Sequence, residues 1–203
     1  MPNHIINIVR VTEDIEEQGF SPEEVMEFVK TERSDFDFNT IIPMPEELRD
    51  TKSPATIVPD DQYEEALKEN ALENKKLKEK GIILKNPISR SMSDTWIKKY
   101  KANNWYDWSV LNWGTKWNAY DIHVGSYGEF VFQTAWSHPD QVMEKLSRIF
   151  PHNTFHIAYA DEDIGNNVGM YELKNGEIVY ALSILKGRDA ELIANVLWGA
   201  NIE

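Results

Sequence analysis

"EFVFQTAWSHPDQVMEKLSRIFPHNTFHIAYADED", residues 129–163, changes its hydrophobic period twice. In 129–136, Phe130, Phe132 and Thr134 fall on every second position, the spacing of a strand with one face turned inward. In 137–150, Val142, Met143, Leu146, Ile149 and Phe150 recur at helical spacing. Alternation returns in 153–163, where Phe155, Ile157 and Tyr159 share a side. The stretch therefore predicts strand, helix, strand.

The N-terminal part reads the same way. "HIINIVRVT" (4–12) is rich in β-branched residues and predicts a strand. "SPEEVMEFVKTE" (21–32) marks a helix start, with Ser21 as cap, Pro22 in the first turn beside Glu23 and Glu24, and Val25, Met26, Phe28 and Val29 on one side. "FDFNTII" (36–42) sets Phe36, Phe38 and Thr40 against Asp37, Asn39 and Ile41, and predicts a second strand stopped by the prolines of "PMP". Downstream, "VGMYELKNGEIVYALSIL" (168–185) places Asn175-Gly176 between two alternating runs, a type I′ hairpin signal. "DAELIANVLWG" (189–199) closes as a short helix.

Two strand–helix–strand halves predict an α+β fold, a ferredoxin-like split βαβ sandwich with an antiparallel sheet. On this reading, residues 1–203 form a single domain. A helical insertion (49–102) separates the second and third strands, and a hairpin plus helix (168–203) extends the C-terminal end. Within the insertion, 60–81 has acids early, lysines late and Gly81 past its end, as the helix dipole favours. Its apolar face is thin (Tyr63, Ala66, Leu67, Ala71, Leu77), which predicts a surface helix. A second helix is expected from near Ser93, with Trp96, Ile97 and Tyr100 inward.

Composition removes several function classes. With no cysteine the chain has no disulfide, thiolate nucleophile or Cys-based metal site. A formal net charge of −13 opposes a general nucleic-acid binder, because phosphate contacts need a concentrated basic surface. The one stretch richer in basic than acidic residues is 60–101. P-loop, G-x-S-x-G and dinucleotide-binding glycine patterns are missing. The N-terminus has neither the basic nor the long apolar region of an export signal, and no apolar run is long enough to span a bilayer. A cytoplasmic chain that does not bind membranes is the expectation.

Five of the seven tryptophans (Trp96, Trp105, Trp108, Trp113, Trp117) are concentrated in 96–117. Asparagines and an aspartate among them can accept indole N–H groups, so a mini-core rooting the insertion on the sheet is the favoured reading. The competing one is a binding surface made of Trp113, Lys116, Trp117, Asn118, Tyr120 and Asp121, since Trp and Tyr dominate interface hot spots. "DEDIGNN" (161–167) offers Asp161, Asp163 and Asn166 as oxygen ligands spaced as in a calcium loop, where calcium or magnesium would be the ion taken. Its glycine comes one position early and no bidentate glutamate follows. The five histidines form no tight ligand pair. Asp121, His123, Asp161 and Asp163 make a metal-dependent enzyme only if the fold converges them.

Several runs in one order, "MPNHIIN" (1–7), "FDFNTIIPMPEEL" (36–48), "NNWYDWSVLNWGTKWNAYD" (103–121), "FQTAWSHP" (132–139) and "YADEDIGNNVG" (159–169), resemble a family of phage- and plasmid-borne proteins described as YubB-like, with a ferredoxin-like domain. The resemblance implies a mobile-element accessory protein in a bacterial cytoplasm and carries over no catalytic residue or cofactor. Together with the acidity it leads to the expectation of a non-enzymatic interaction protein that meets a basic surface of a host or phage protein. The alternatives are a small divalent-metal enzyme and a small-ligand binder with a tryptophan-lined groove.

Overall fold

In the computed structural model, which describes residues 2–125, 127–182 and 186–199, the 129–163 stretch folds as its periods predict. In chain order the elements are β1 (His4–Glu13), α1 (Pro22–Val29), α2 (Glu46–Arg49), β2 (Ile57–Val58), α3 (Tyr63–Leu77), β3 (Ile88–Ser89), α4 (Arg90–Tyr100), α5 (Trp105–Trp113), β4 (Tyr120–Val124), β5 (Glu129–Ala135), α6 (Asp140–Ile149), β6 (Asn153–Asp161), β7 (Gly169–Lys174), β8 (Glu177–Ala181) and α7 (Arg188–Gly199). The chain divides into two compact units, Met1–Pro43 with Asn112–Glu203, and Met44–Leu111.

The first unit is built on a six-stranded sheet in the order β4-β5-β1-β6-β7-β8, with every neighbouring pair antiparallel. Strands β4, β5, β1 and β6, with α1 and α6, make the ferredoxin-like α+β arrangement. β7 and β8 widen the sheet past β6. Along β1, Ile5, Asn7, Val9 and Val11 point to one face and Ile6 and Ile8 to the other. Asn7 lies opposite Phe132 on β5 and Tyr159 on β6. On the Ile6 face, α7 lays Ala194 and Leu197 against Ile6 and Ala160. The helix is tied down by the Trp198 indole N–H, which donates to the Asp161 carbonyl at 2.9 Å.

The strand expected at 36–42 is absent. Phe36 and Phe38 are fully buried, as their alternation requires, and Phe36 stacks on Phe132 at 4.7 Å. Between them, however, Asp37 accepts hydrogen bonds from both the backbone and the side chain of Asn39 and caps a 3₁₀ turn, Phe38–Thr40. A local side-chain bond has displaced the ladder here. The second strand of the sheet is β4, so the inserted segment enters between the first helix and the second strand, ahead of the β4–β5 hairpin. β4 was hidden in the sequence because it is an edge strand of mostly exposed residues, bent where Asp121 takes a φ of 51°.

The second unit, described by itself, pairs β2 with β3 in parallel, packs α4 against both strands, and also contains α2, α3 and most of α5. α3 has no fully buried residue, in keeping with its thin apolar face. α4 starts a turn earlier than expected, capped by Ser89, whose hydroxyl accepts the Met92 N–H. Ile97, expected inward, is 46% exposed, while Tyr100 donates its hydroxyl proton to Glu47. No described helix is long and apolar enough to cross a membrane. Residues 183–185 and 200–203 of the expected C-terminal extension lie outside the described residues.

The hairpin signal is realised between β7 and β8. Asn175 and Gly176 have φ of 51° and 75°, the two left-handed positions of a type I′ turn.

Candidate functional site

Asn7 is a fully buried amide in the middle of an apolar strand, so each of its polar atoms needs a partner. Its Nδ2 donates to the Ile5 carbonyl, the Phe132 carbonyl and the Thr134 hydroxyl at 3.0, 3.3 and 2.9 Å. Oδ1 is left to accept, and it receives His138 Nδ1 at 2.7 Å. His138, just ahead of α6 and 3% exposed, must therefore carry its proton on Nδ1. Its Nε2 is then an acceptor, and the Tyr171 hydroxyl on β7 reaches it at 2.6 Å. Burial pushes the imidazole down to about 3, so it stays neutral.

A phenol has one proton. Tyr171 commits it to His138, so the 3.4 Å approach of its oxygen to Asp140 Oδ1 adds little, and Asp140 keeps acceptor capacity for something else. Its side chain is 73% exposed. Tyr159 on β6 stacks on the His138 ring at 4.4 Å and 10°, and Tyr171 meets that ring edge-on at 5.7 Å. Burial, then the Asp140 charge, push both phenols up, so they remain protonated donors.

These groups form one end of a groove of about 530 Å³ between α6 and the β7–β8 wing. Tyr159, Tyr171 and Asp140 line that end. Leu173 and Ile178 line the other, where Glu144 pairs with Arg148 and the Gly176 N–H donates to Ser147. Gly169 makes the first end fit, because a Cβ there would lie 2.5 Å from the Tyr159 ring. The ring cannot retreat without leaving His138. Gly169→Ala should therefore cost about 1–3 kcal/mol and lower the near-UV circular dichroism of the tyrosines. An unchanged melting temperature would refute the packing described.

The tryptophan stretch divides. Trp113 is 4% exposed and donates its indole N–H to the Ile42 carbonyl at 2.9 Å. Asn118 accepts the Phe38 N–H and donates to Asp37, fixing the 3₁₀ turn. Tyr120 donates to the Thr134 carbonyl, accepts from His4, and is pushed up to about 12 by burial and then by the Glu162 and Asp121 charges. Asp121 accepts from Gln133. Trp117 and Asp121 are exposed and Lys116 is half-buried. Trp117 is 37% exposed, and the Lys116 ammonium sits 4.6 Å from the centroids of both Trp117 and Trp136. The six residues do not make one surface.

In the 161–167 loop, Asp161 Oδ1 accepts from Asn3 and from the Asp163 N–H, and Asn166 donates to Asp163. The carboxylates serve a hydrogen-bonded turn, and among the described residues no three His, Asp or Glu side chains group as metal ligands. Asp121 and His123 are on β4, separated by β5 and β1 from the β6 end that carries Asp161 and Asp163. The fold does not converge them.

Sequence reasoning missed Asn7, His138, Asp140 and Tyr171 and took Tyr159 for core. One signal was available: an asparagine on the inward side of β1, between Ile5 and Val9, demands polar partners.

Residues 112–191, less than half of the chain, match a family model described as "Ferredoxin-like domain in Api92-like protein". Among solved structures, the crystal structure of a protein api92 from Yersinia pseudotuberculosis aligns over 92% of this chain and 99% of that one, at 9% identity and a TM-score of 0.43. No curated protein matches.

Proposed function

We propose that the protein is a non-enzymatic interaction protein of a mobile genetic element, whether phage, prophage or plasmid, acting in the bacterial cytoplasm by holding a basic segment of a host or phage protein. The observation that carries this reading is the exposed Asp140 carboxylate at the head of a concave, largely apolar groove. A net charge of −13 adds long-range attraction for such a partner. His138 has both nitrogens committed and stays neutral, so it supplies the groove with neither a base nor a cation. The mobile-element setting is supported by the YubB-like resemblance of the quoted runs.

The test compares tagged native chain with the Asp140→Asn, Glu144→Gln double variant as baits in nuclease-treated bacterial lysate, at low and moderate salt. A basic protein kept by the native bait, and lost from the variant and at moderate salt, is the expected result. Equal retention by both baits would remove the groove from the reading.

A further inference from the structure

We propose that the groove recognises a lysine side chain on an extended peptide segment, its ammonium seated between Asp140 and the Tyr159 hydroxyl and its stem lying on the apolar floor. This rests on the basic-partner reading and names the chemistry that the groove takes.

Charge is graded along α6. Asp140 leads the helix with an exposed carboxylate, whereas Glu144 is already paired with Arg148 at the next turn. A cation therefore gains most at the Asp140 end. There, Tyr159 presents a hydroxyl that makes no hydrogen bond to any described residue, and its ring is held against His138 on one side and Gly169 on the other. The carboxylate and the phenol oxygen are separate acceptors that the rotatable donors of a single ammonium can reach together, without the parallel two-oxygen docking on one carboxylate that a guanidinium fork takes. Beyond the charged end the lining is Leu173 and Ile178, which an alkyl stem and a flanking apolar side chain can cover.

Length favours a segment over a free amine. From Asp140 to Arg148 the helix rises about 12 Å, which an extended chain spans in about four residues. The far wall is β8, the last strand of the sheet, and no described strand lies beyond it. Its edge can supply main-chain hydrogen bonds to a neighbouring extended chain.

The probe is the capped peptide Ala-Leu-Lys-Leu-Ala, compared with versions carrying norleucine or arginine in place of lysine, and with pentylamine alone. Binding is read from the backbone amide shifts of Gly169 and Gly176 in the full-length protein. The lysine peptide is expected to bind about tenfold more tightly than the norleucine peptide, with both amides moving. Asp140→Asn should erase the difference, while Glu23→Gln on α1 leaves it intact. Equal binding of the lysine and norleucine peptides, tighter binding of arginine, pentylamine binding as well as the peptide, or a full effect in Asp140→Asn would each overturn the proposal. If a basic protein is still captured through Asp140 and Glu144 while the lysine peptide fails, the ligand chemistry proposed here falls and the broader reading stands. If neither is bound, both fall.

Discussion

Acidification should destabilise the protein from pH 6.5 downward, well before its carboxylates titrate. The cause is His138, displaced by burial from an ordinary value of 6.5 to about 3. Above pH 6.5 the imidazole is neutral in both the folded and the unfolded chain, and its contribution is fully present. Below that value the unfolded chain takes up a proton that the folded chain refuses, so stability falls by about 1.4 kcal/mol per pH unit until the folded value is reached. At pH 4.5 the loss from this one residue is about 3 kcal/mol, a large share of a typical domain's stability. Asp37 adds its own loss at lower pH. Burial works against its ionised form, but hydrogen bonds from Asn39, Asn118 and Thr31 hold its carboxyl below the ordinary range.

Urea titrations at pH 7.5, 6.0 and 5.0 would measure the slope, and His138→Gln provides the control. That variant should be less stable at pH 7.5, because the Asn7 and Tyr171 partners lose their geometry, yet flatter between pH 6.5 and 5. Equal slopes in the two proteins would show that His138 is not the buried neutral residue described. The same network sets the groove's working range, since a protonated His138 would no longer accept the Tyr171 proton, and Tyr171 would turn to Asp140.

How much of this the sequence carried depends on where the determining forces act. The β5–α6–β6 run was legible because each element buries a face against the same core, and burial imposes a period of 2 or 3.6 on the residues themselves. The Asn175-Gly176 turn was legible because its backbone demands two left-handed residues. The 36–42 segment misled because Phe36 and Phe38 are buried with a strand's spacing while Asp37 supplies a competing local bond. β4 gave no signal because its residues are mostly exposed. The groove escaped for another reason. Asn7, His138, Tyr159 and Tyr171 come from β1, the approach to α6, β6 and β7, and their convergence is a property of sheet order that no local pattern encodes.

Trp113→Ala should cost about 3–5 kcal/mol, whereas Trp117→Ala, four residues away, should cost about 1 kcal/mol or less. Trp113 is nearly fully buried, meets Phe38 edge-on at 5.7 Å, and satisfies the Ile42 carbonyl through its indole N–H. Its removal opens a cavity beside the phenylalanine cluster and leaves a carbonyl without that donor. Trp113→Phe separates the two effects. It keeps part of the ring's packing and loses the hydrogen bond, for about 1–2 kcal/mol. Trp117 meets Tyr120 edge-on at 6.1 Å and shares the Lys116 ammonium with Trp136, contacts made at a partly exposed surface where a cation–π pair is worth about 0.5–1 kcal/mol. Chemical denaturation of the three variants at pH 7.5 would read all the values. If Trp117→Ala proves as damaging as Trp113→Ala, the stretch is core throughout and any interface role for Trp117 ends. If Trp113→Ala costs under about 1 kcal/mol, the buried position given to that indole is wrong. With the expected asymmetry, Trp117 can be replaced in a folded protein and its part in partner binding measured directly, which Trp113 does not allow.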